Sequence, residues 1–205
     1  MRTLDEVMAV AQPRALAPRV AKTGQNQCWD AAGALTDCAG TGQDGEYQRG
    51  IDPVIAPSDG PFNTPAWSGV RFTDNGDGTV TDNLTALVWL KNANCFGGVL
   101  WQAGLTVANT LASGVCGLSD GSSAGQWRMP NANEMNSLID LTQSSPALPL
   151  GHPFTSVQAG SFYWSSTSYS PAPVVAYSVR LSDGSLNFAG KTNSFNPVWP
   201  VRGGQ

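Results

Sequence analysis

Tyr177–Phe188, "YSVRLSDGSLNF", sets apolar and polar residues in alternation on both sides of an Asp-Gly pair. Asp183-Gly184 suits a two-residue type I′ turn, which needs positive φ at both central positions and matches the right-handed twist of paired strands. With that turn Ser182 faces Ser185, Leu181 faces Leu186, Arg180 faces Asn187 and Val179 faces Phe188. Side chains alternate along a strand, so Val179, Leu181, Leu186 and Phe188 are expected to form a core face, and Arg180, Ser182, Ser185 and Asn187 a polar one. A period of two here commits the C-terminal region to antiparallel hairpins.

Outward from this hairpin the strand character continues. "SFYWSSTSYS", Ser161–Ser170, reads as a strand with Trp164 in or near the core, and Ser168, Tyr169 and Ser170 leave it toward Pro171 as an exposed loop. "VWPVRGG" gives a final strand whose Pro200 suggests an edge or a bulge. Upstream, "RFTDNGDGTVTDNLTALVWL", Arg71–Leu90, reads as a strand, a Gly/Asn/Asp turn and an apolar strand over 86–90. Thr73, Asn75, Asp77 and Gly78 match part of a calcium loop, but Thr stands where its first Asp belongs and Leu84 where its last Glu belongs.

Two helices separate these strand regions. Residues 100–112 place Leu100, Leu105, Ala108 and Leu111 near one helical face, although Gly104 weakens the helix by about 1 kcal/mol relative to Ala. "PNANEMNSLIDL" has Asn131 as N-cap and Glu134 three residues on, the pattern of a capping box, with Met135, Leu138, Ile139 and Leu141 on the buried side and Asn133, Asn136 and Ser137 toward water. A third, short amphipathic helix is expected over 3–11 before Pro13 interrupts it. The organisation expected is therefore an N-terminal arm or linker (1–22), an irregular segment (23–63) and an α+β domain (64–205).

Composition bounds the rest. The chain has 205 residues, 41% of them hydrophobic, with seven tryptophans, 23 glycines and 14 prolines. That supplies a core and many turns but no helical bundle. A net charge of -4 argues against a phosphate-binding face, so no nucleic acid is expected as partner. No apolar run approaches the roughly 20 residues of a membrane-spanning helix. Cys28, Cys38, Cys95 and Cys116 form no CxxC pair, and the single histidine is His152, so two sequential disulfides, Cys28 with Cys38 and Cys95 with Cys116, are expected rather than a zinc site. Disulfides imply an oxidising compartment. The first 20 residues lack the apolar core of a signal peptide, which suggests a trimmed export segment.

Catalytic chemistry is sparsely signalled. A serine nucleophile needs a base beside it, and His152 lies in the turn-rich "GHPF" with no partner indicated. Ser165–Ser168 lack the Gly-x-Ser-x-Gly elbow, and no phosphate-cradling loop or paired carboxylates announce themselves. No cofactor and no metal are expected.

Several motifs in one order, "GTGQDGEYQRG", "RFTDNGDGTVTDNLTALVWLKNANCFG", "CGLSDGSSAGQWRMPNANEM", "GHPF", "YWSST" and "VWPVRGG", resemble the bacterial DUF1566 family, also called the Legionella collagen-like protein C-terminal domain. The resemblance runs from about Lys22 to the end. It implies a C-type-lectin-like fold of the formylglycine-generating-enzyme kind, two helices against a small mixed sheet, with "YWSST" as a central strand, in exported or surface-attached proteins. Some relatives are adhesins for sulfated glycosaminoglycans, and others are variable products of diversity-generating retroelements whose changing residues correspond here to Ser168–Phe195. Collagen-like repeats are missing, the acidic charge disfavours polyanionic ligands, and no cysteine follows Cys116 to hold copper.

The expectation is a non-catalytic binding domain, extracellular, at the cell surface or periplasmic, for a glycan or protein on another surface; a homo-oligomer is possible. Ligand contact is expected at Ser168, Tyr169, Tyr177, Arg180, Ser182, Ser185, Asn187, Lys191, Asn193 and Phe195, with Tyr169 and Phe195 as anchors, because rigid aromatics give contact area at low entropic cost. The alternatives are a hydrolase with dispersed carboxylates and a structural domain of an envelope assembly.

Overall fold

In the computed structural model, residues 20, 23, 25–47 and 70–203 are described. The helix expected over 3–11 lies outside them. Among the described residues, eleven short strands and three helices build four small antiparallel sheets, an α+β architecture.

The Gly-rich turn at 75–78 folds as its residues dictate. Gly76 and Gly78 sit at φ 75° and 86°, and a Cβ on Gly78 would lie 2.3 Å from the Gly117 carbonyl oxygen, so only glycine fits. Asp77 accepts from the Thr79 amide and hydroxyl, and Asp74 accepts from the Gly76 amide while pairing with Lys91. The acids that suggested a calcium loop are turn-locking groups here. This turn joins β3 (Phe72–Asp74) to β4 (Thr79–Asp82), which pairs with β5 (Leu87–Leu90); β11 (Val201–Arg202) closes the sheet on the other side of β5. β6 (Gly98–Val99) pairs with β10 (Asn196–Pro197).

Helix α2 (Trp101–Asn109) buries Trp101, Leu105 and Ala108. Gly104, a liability in isolation, has a packing reason: a Cβ would come within 2.7 Å of Met129 Cε and 2.8 Å of Val198 Cγ2. Helix α3 (Ala132–Ser137) carries the expected capping box, with Asn131 Oδ1 accepting from the Glu134 amide and Glu134 Oε2 from the Asn131 amide. Met135 and Leu138 are buried, Ile139 is partly buried, and Leu141 is 81% exposed, because the helix ends before the periodicity reaches it.

Glu134 has a second role that its spacing does not reveal. It forms a buried, two-pronged ion pair with Arg128, both bonds at 2.7 Å, and Arg128 also donates to the Gly203 carbonyl.

The third sheet runs β7 (Phe162–Ser168), β8 (Val175–Arg180), β9 (Leu186–Gly190). β7 stands at its end and β8 is central, which corrects the central position expected for "YWSST". A register shift between Trp164 and Ser168 bulges β7. The hairpin register also differs from expectation: Val179 pairs with Leu186 and Tyr177 with Phe188, around the four residues 181–184. The reason is local: Arg180 pairs with Asp183, the Gly184 amide donates to the Arg180 carbonyl, and a longer turn results. Leu186 and Phe188, expected in the core, are each 52% exposed, whereas Val179 and Leu181 are buried.

One core gathers Trp89, Trp127, Phe154, Tyr163, Val179, Met135, Leu138 and Trp199; a second gathers Trp101, Leu105, Met129, Trp164, Ala176 and Val198. The first covers the Tyr163–Val179 side of the β7–β8–β9 sheet, and the second covers the Trp164–Ala176 side. Three of the buried indoles find carbonyls: Trp101 donates to Ser165, Trp164 to Val99 and Trp199 to Leu90.

Residues 25–47 contribute β1 (Cys28–Trp29), β2 (Leu35–Thr36) and α1 (Asp44–Tyr47). Their irregular look in sequence hides a dock on β7: Gln25 bonds both backbone groups of Ser168, and Asp44 accepts from Thr167. Val20, in the stretch expected to be a linker, is buried in the first core. Both sequential disulfides, Cys28–Cys38 and Cys95–Cys116, are present.

Leu138→Ala is expected to cost about 2–5 kcal/mol in a denaturant titration, since the side chain is fully buried. Arg128→Met, which strands a buried carboxylate, should cost about 3–5 kcal/mol; a loss below about 1 kcal/mol in either would mean that α3 is not anchored this way.

Candidate binding site

The β7–β8–β9 sheet is unevenly covered. On the side carrying Tyr163 and Val179, α3 packs over β7 and β8, but toward β9 the same side bears Tyr177, Leu186 and Phe188 at the surface. Tyr169, just past β7, stacks on Phe188 with ring centroids 4.9 Å apart and planes 7° from parallel, and Tyr177 meets Tyr169 edge-on at 5.6 Å. Such stacking is worth roughly 0.5–1.5 kcal/mol beyond burial and holds the rings in fixed poses.

Beside this cluster, between β8–β9 and the start of α3, lies a pocket of about 340 Å³ lined by Thr23, Gln25, Ala132, Asn133, Thr167, Ser168, Ser170, Pro171, Tyr177 and Leu186. None of these side chains is charged. Charge stands behind the wall instead. Asp44, 2% exposed, accepts from Thr23 and Thr167, and burial raises its carboxyl above the ordinary range. The Thr167 hydroxyl in turn accepts from the Ala132 amide, which ties β7 to α3.

Lys191 is the second hidden charge. It is 1% exposed, donates to Ser168 Oγ at 2.8 Å and lies 4.0 Å from the centroid of the Trp101 ring. Burial lowers its ammonium to about 8, with Asp30 acting in the opposite direction. At neutral pH the group is mostly protonated. The ammonium donates to the serine oxygen.

The ten expected contact residues are only partly brought together. Ser168 and Tyr177 line the pocket and Tyr169 belongs to the aromatic cluster. Asn187 pairs with Ser178 on the opposite side of the sheet. Arg180 is held by Asp183 and lies over the Phe162 ring, and that partnership keeps Asp183 well below the usual carboxylate range. Ser182 and Ser185 are in and beside the turn, their carbonyls accepting from Ser145 and Arg180. Asn193 and Phe195 are exposed in the separate turn leading to β10. Lys191 is buried, which corrects the surface role expected for it.

Sequence reasoning missed Phe188 and Leu186, which alternation assigned to the core, and Thr23 and Gln25, which only tertiary docking delivers. His152 is partly buried beside Phe154, its Nδ1 has no hydrogen-bond partner among the described residues, and burial lowers its pKa. Among the described residues no three metal-ligating side chains gather, and no helix is long and apolar enough to cross a membrane.

The family model of the Lcl C-terminal domain matches residues 78–202. The chain belongs to this family. The match begins later than the motif resemblance, so "GTGQDGEYQRG" falls outside it, while α2, α3, β5–β11 and the whole aromatic cluster fall within. Neither curated proteins nor solved structures give a match. Thr23, Gln25 and Asp44 thus complete the pocket from outside the matched Lcl C-terminal domain.

Lys191 gives a pH test. Folded, it releases its proton near 8; unfolded, near 10.5. Between these values the unfolded chain binds more protons, so the stability that Lys191 contributes rises with pH through that window. The melting temperature of the parent relative to Lys191→Met should therefore climb from pH 8 to 10; a constant difference would mean that the ammonium is hydrated.

Proposed function

We propose that this chain is a non-catalytic ligand-binding domain of an exported bacterial protein, adhesin-like, with a C-type-lectin-like arrangement of two main helices on small antiparallel sheets. The observation that carries this reading is the bare aromatic side of the β8–β9 hairpin, continuous with an uncharged pocket. Tyr169, Tyr177 and Phe188 are locked to one another before any ligand arrives, and a rigid aromatic surface loses little entropy on binding. An exposed apolar cluster rimmed by polar groups is the usual mark of an interaction surface.

Two disulfides among the described residues support placement outside the cytoplasm, at the cell surface or in the periplasm. The partner is a glycan or a protein on another surface.

A glycan array together with pull-down from a surface extract, using the full chain, tests the proposal. Phe188→Ala should weaken whatever binds at least tenfold with the melting temperature nearly unchanged, whereas Phe195→Ala should leave binding intact. If Phe195→Ala abolishes binding and Phe188→Ala does not, the face is misassigned.

A further inference from the structure

Resting on that reading, we propose that the pocket is a subsite for one uncharged sugar ring, seated with its apolar side against Tyr177 and Leu186 and with its hydroxyls toward the polar side chains of the opposite wall.

The division of the lining argues for such a ligand. Apolar surface comes from Tyr177 on β8, Leu186 on β9 and Pro171 in the loop after β7; hydroxyls and amides come from Thr23, Gln25, Asn133, Thr167, Ser168 and Ser170. A pyranose has the same division, with C–H bonds over its faces and hydroxyls around its rim. At about 340 Å³ the pocket is near the small end of the roughly 300–1,000 Å³ range of ligand sites, room for one ring with its neighbours outside.

Ser168 supports the pocket wall from behind. Its ladder partner is Ala176, so its hydroxyl lies with Lys191 and Trp101 on the side of the second core. Its amide and carbonyl are both taken by Gln25, which fixes that end of β7 and holds Gln25 itself in the lining.

Charge accounting decides between neutral and anionic sugars. The lining has no charged side chain, Lys191 is spent on Ser168 and Trp101, Arg180 is spent on Asp183, and Asp44 stands behind Thr23 and Thr167. A sulfate or carboxylate entering here would lose water and meet no free cation among the described residues.

Amide chemical-shift titration of the full chain with methyl hexopyranosides, and in parallel with a sulfated heparin oligosaccharide, tests the inference. The expected result is saturable shifts at pocket residues with at least one neutral methyl hexopyranoside, weaker or none with the sulfated probe. Leu186→Glu, at an exposed position that should fold normally, should abolish them, and Tyr177→Ala should weaken them at least fivefold. No shift with any neutral hexopyranoside, stronger binding of the sulfated probe, or shifts that survive Leu186→Glu would overturn the sugar assignment. The broader binding-face reading would outlast that failure if a partner found by array or pull-down still required Phe188, and would fall with it if the partner did not.

Discussion

The two-pronged contact between Arg128 and Glu134 is the constraint on which the arrangement of α3 and the pocket depends. Both groups are almost wholly buried, and desolvating two charges costs several kcal/mol each, which the paired geometry and the further bonds of both groups offset. Glu134 also caps α3 through the Asn131 amide, and Arg128 also holds the Gly203 carbonyl and exchanges backbone bonds with Val201. One ion pair thus fixes the start of a six-residue helix, too short to be stable alone, to the last strand of the chain. Ala132 and Asn133, the helical wall of the pocket, take their position from it.

Two further buried charges, Asp44 and Lys191, act on β7 from opposite sides. Asp44 collects hydroxyl protons from Thr23 and Thr167, and Lys191 gives a proton to Ser168. Thr167 and Ser168 are adjacent in a strand whose register shifts just before them, so consecutive hydroxyls meet an acceptor and a donor. The bulge, the segment clipped by Cys28–Cys38 and the turn carrying Lys191 are needed together for that end of β7 to have its shape. Closing the ten-residue span between Cys28 and Cys38 stabilises by roughly 3 kcal/mol in the chain-entropy account, and it acts on the segment that delivers Asp44.

Local rules made part of this legible. The capping box at Asn131 and Glu134, the glycine turn at 75–78, the sequential disulfides and the buried faces of α2 and α3 follow from spacings of a few residues, which sequence displays directly. The hairpin shows where such rules stop. Asp183-Gly184 has the composition of a tight turn, yet Asp183 satisfies Arg180 and the loop widens to four residues. Alternation separates the two sides of a strand correctly, but it cannot tell which side a distant helix will cover. Here α3 covers Val179 and stops short of Leu186 and Phe188, so residues of one apolar stripe divide into core and surface. Lys191 fails for the converse reason: nothing near it in sequence announces that Trp101 and Ser168, far away along the chain, will enclose it.

The incomplete reach of α3 is itself informative about function. Extending the helix cover by one more apolar residue over Leu186 and Phe188 would remove half-exposed apolar area from water, at roughly 25 cal/mol per Å² in favour of the folded chain. The chain instead turns at Leu138, sends Leu141 into solvent and leaves the stripe open. Its aromatics are not left loose, since Tyr169 and Tyr177 brace Phe188 in a fixed orientation. Ordering side chains that contribute little to the core costs conformational entropy on folding; under the proposed function that cost is offset when a ligand meets rings already in place. Because the supporting charges and indoles lie beneath the surface, the outward residues of β9 are separable from the fold: they can change without disturbing Trp101, Lys191 or the Arg128–Glu134 pair.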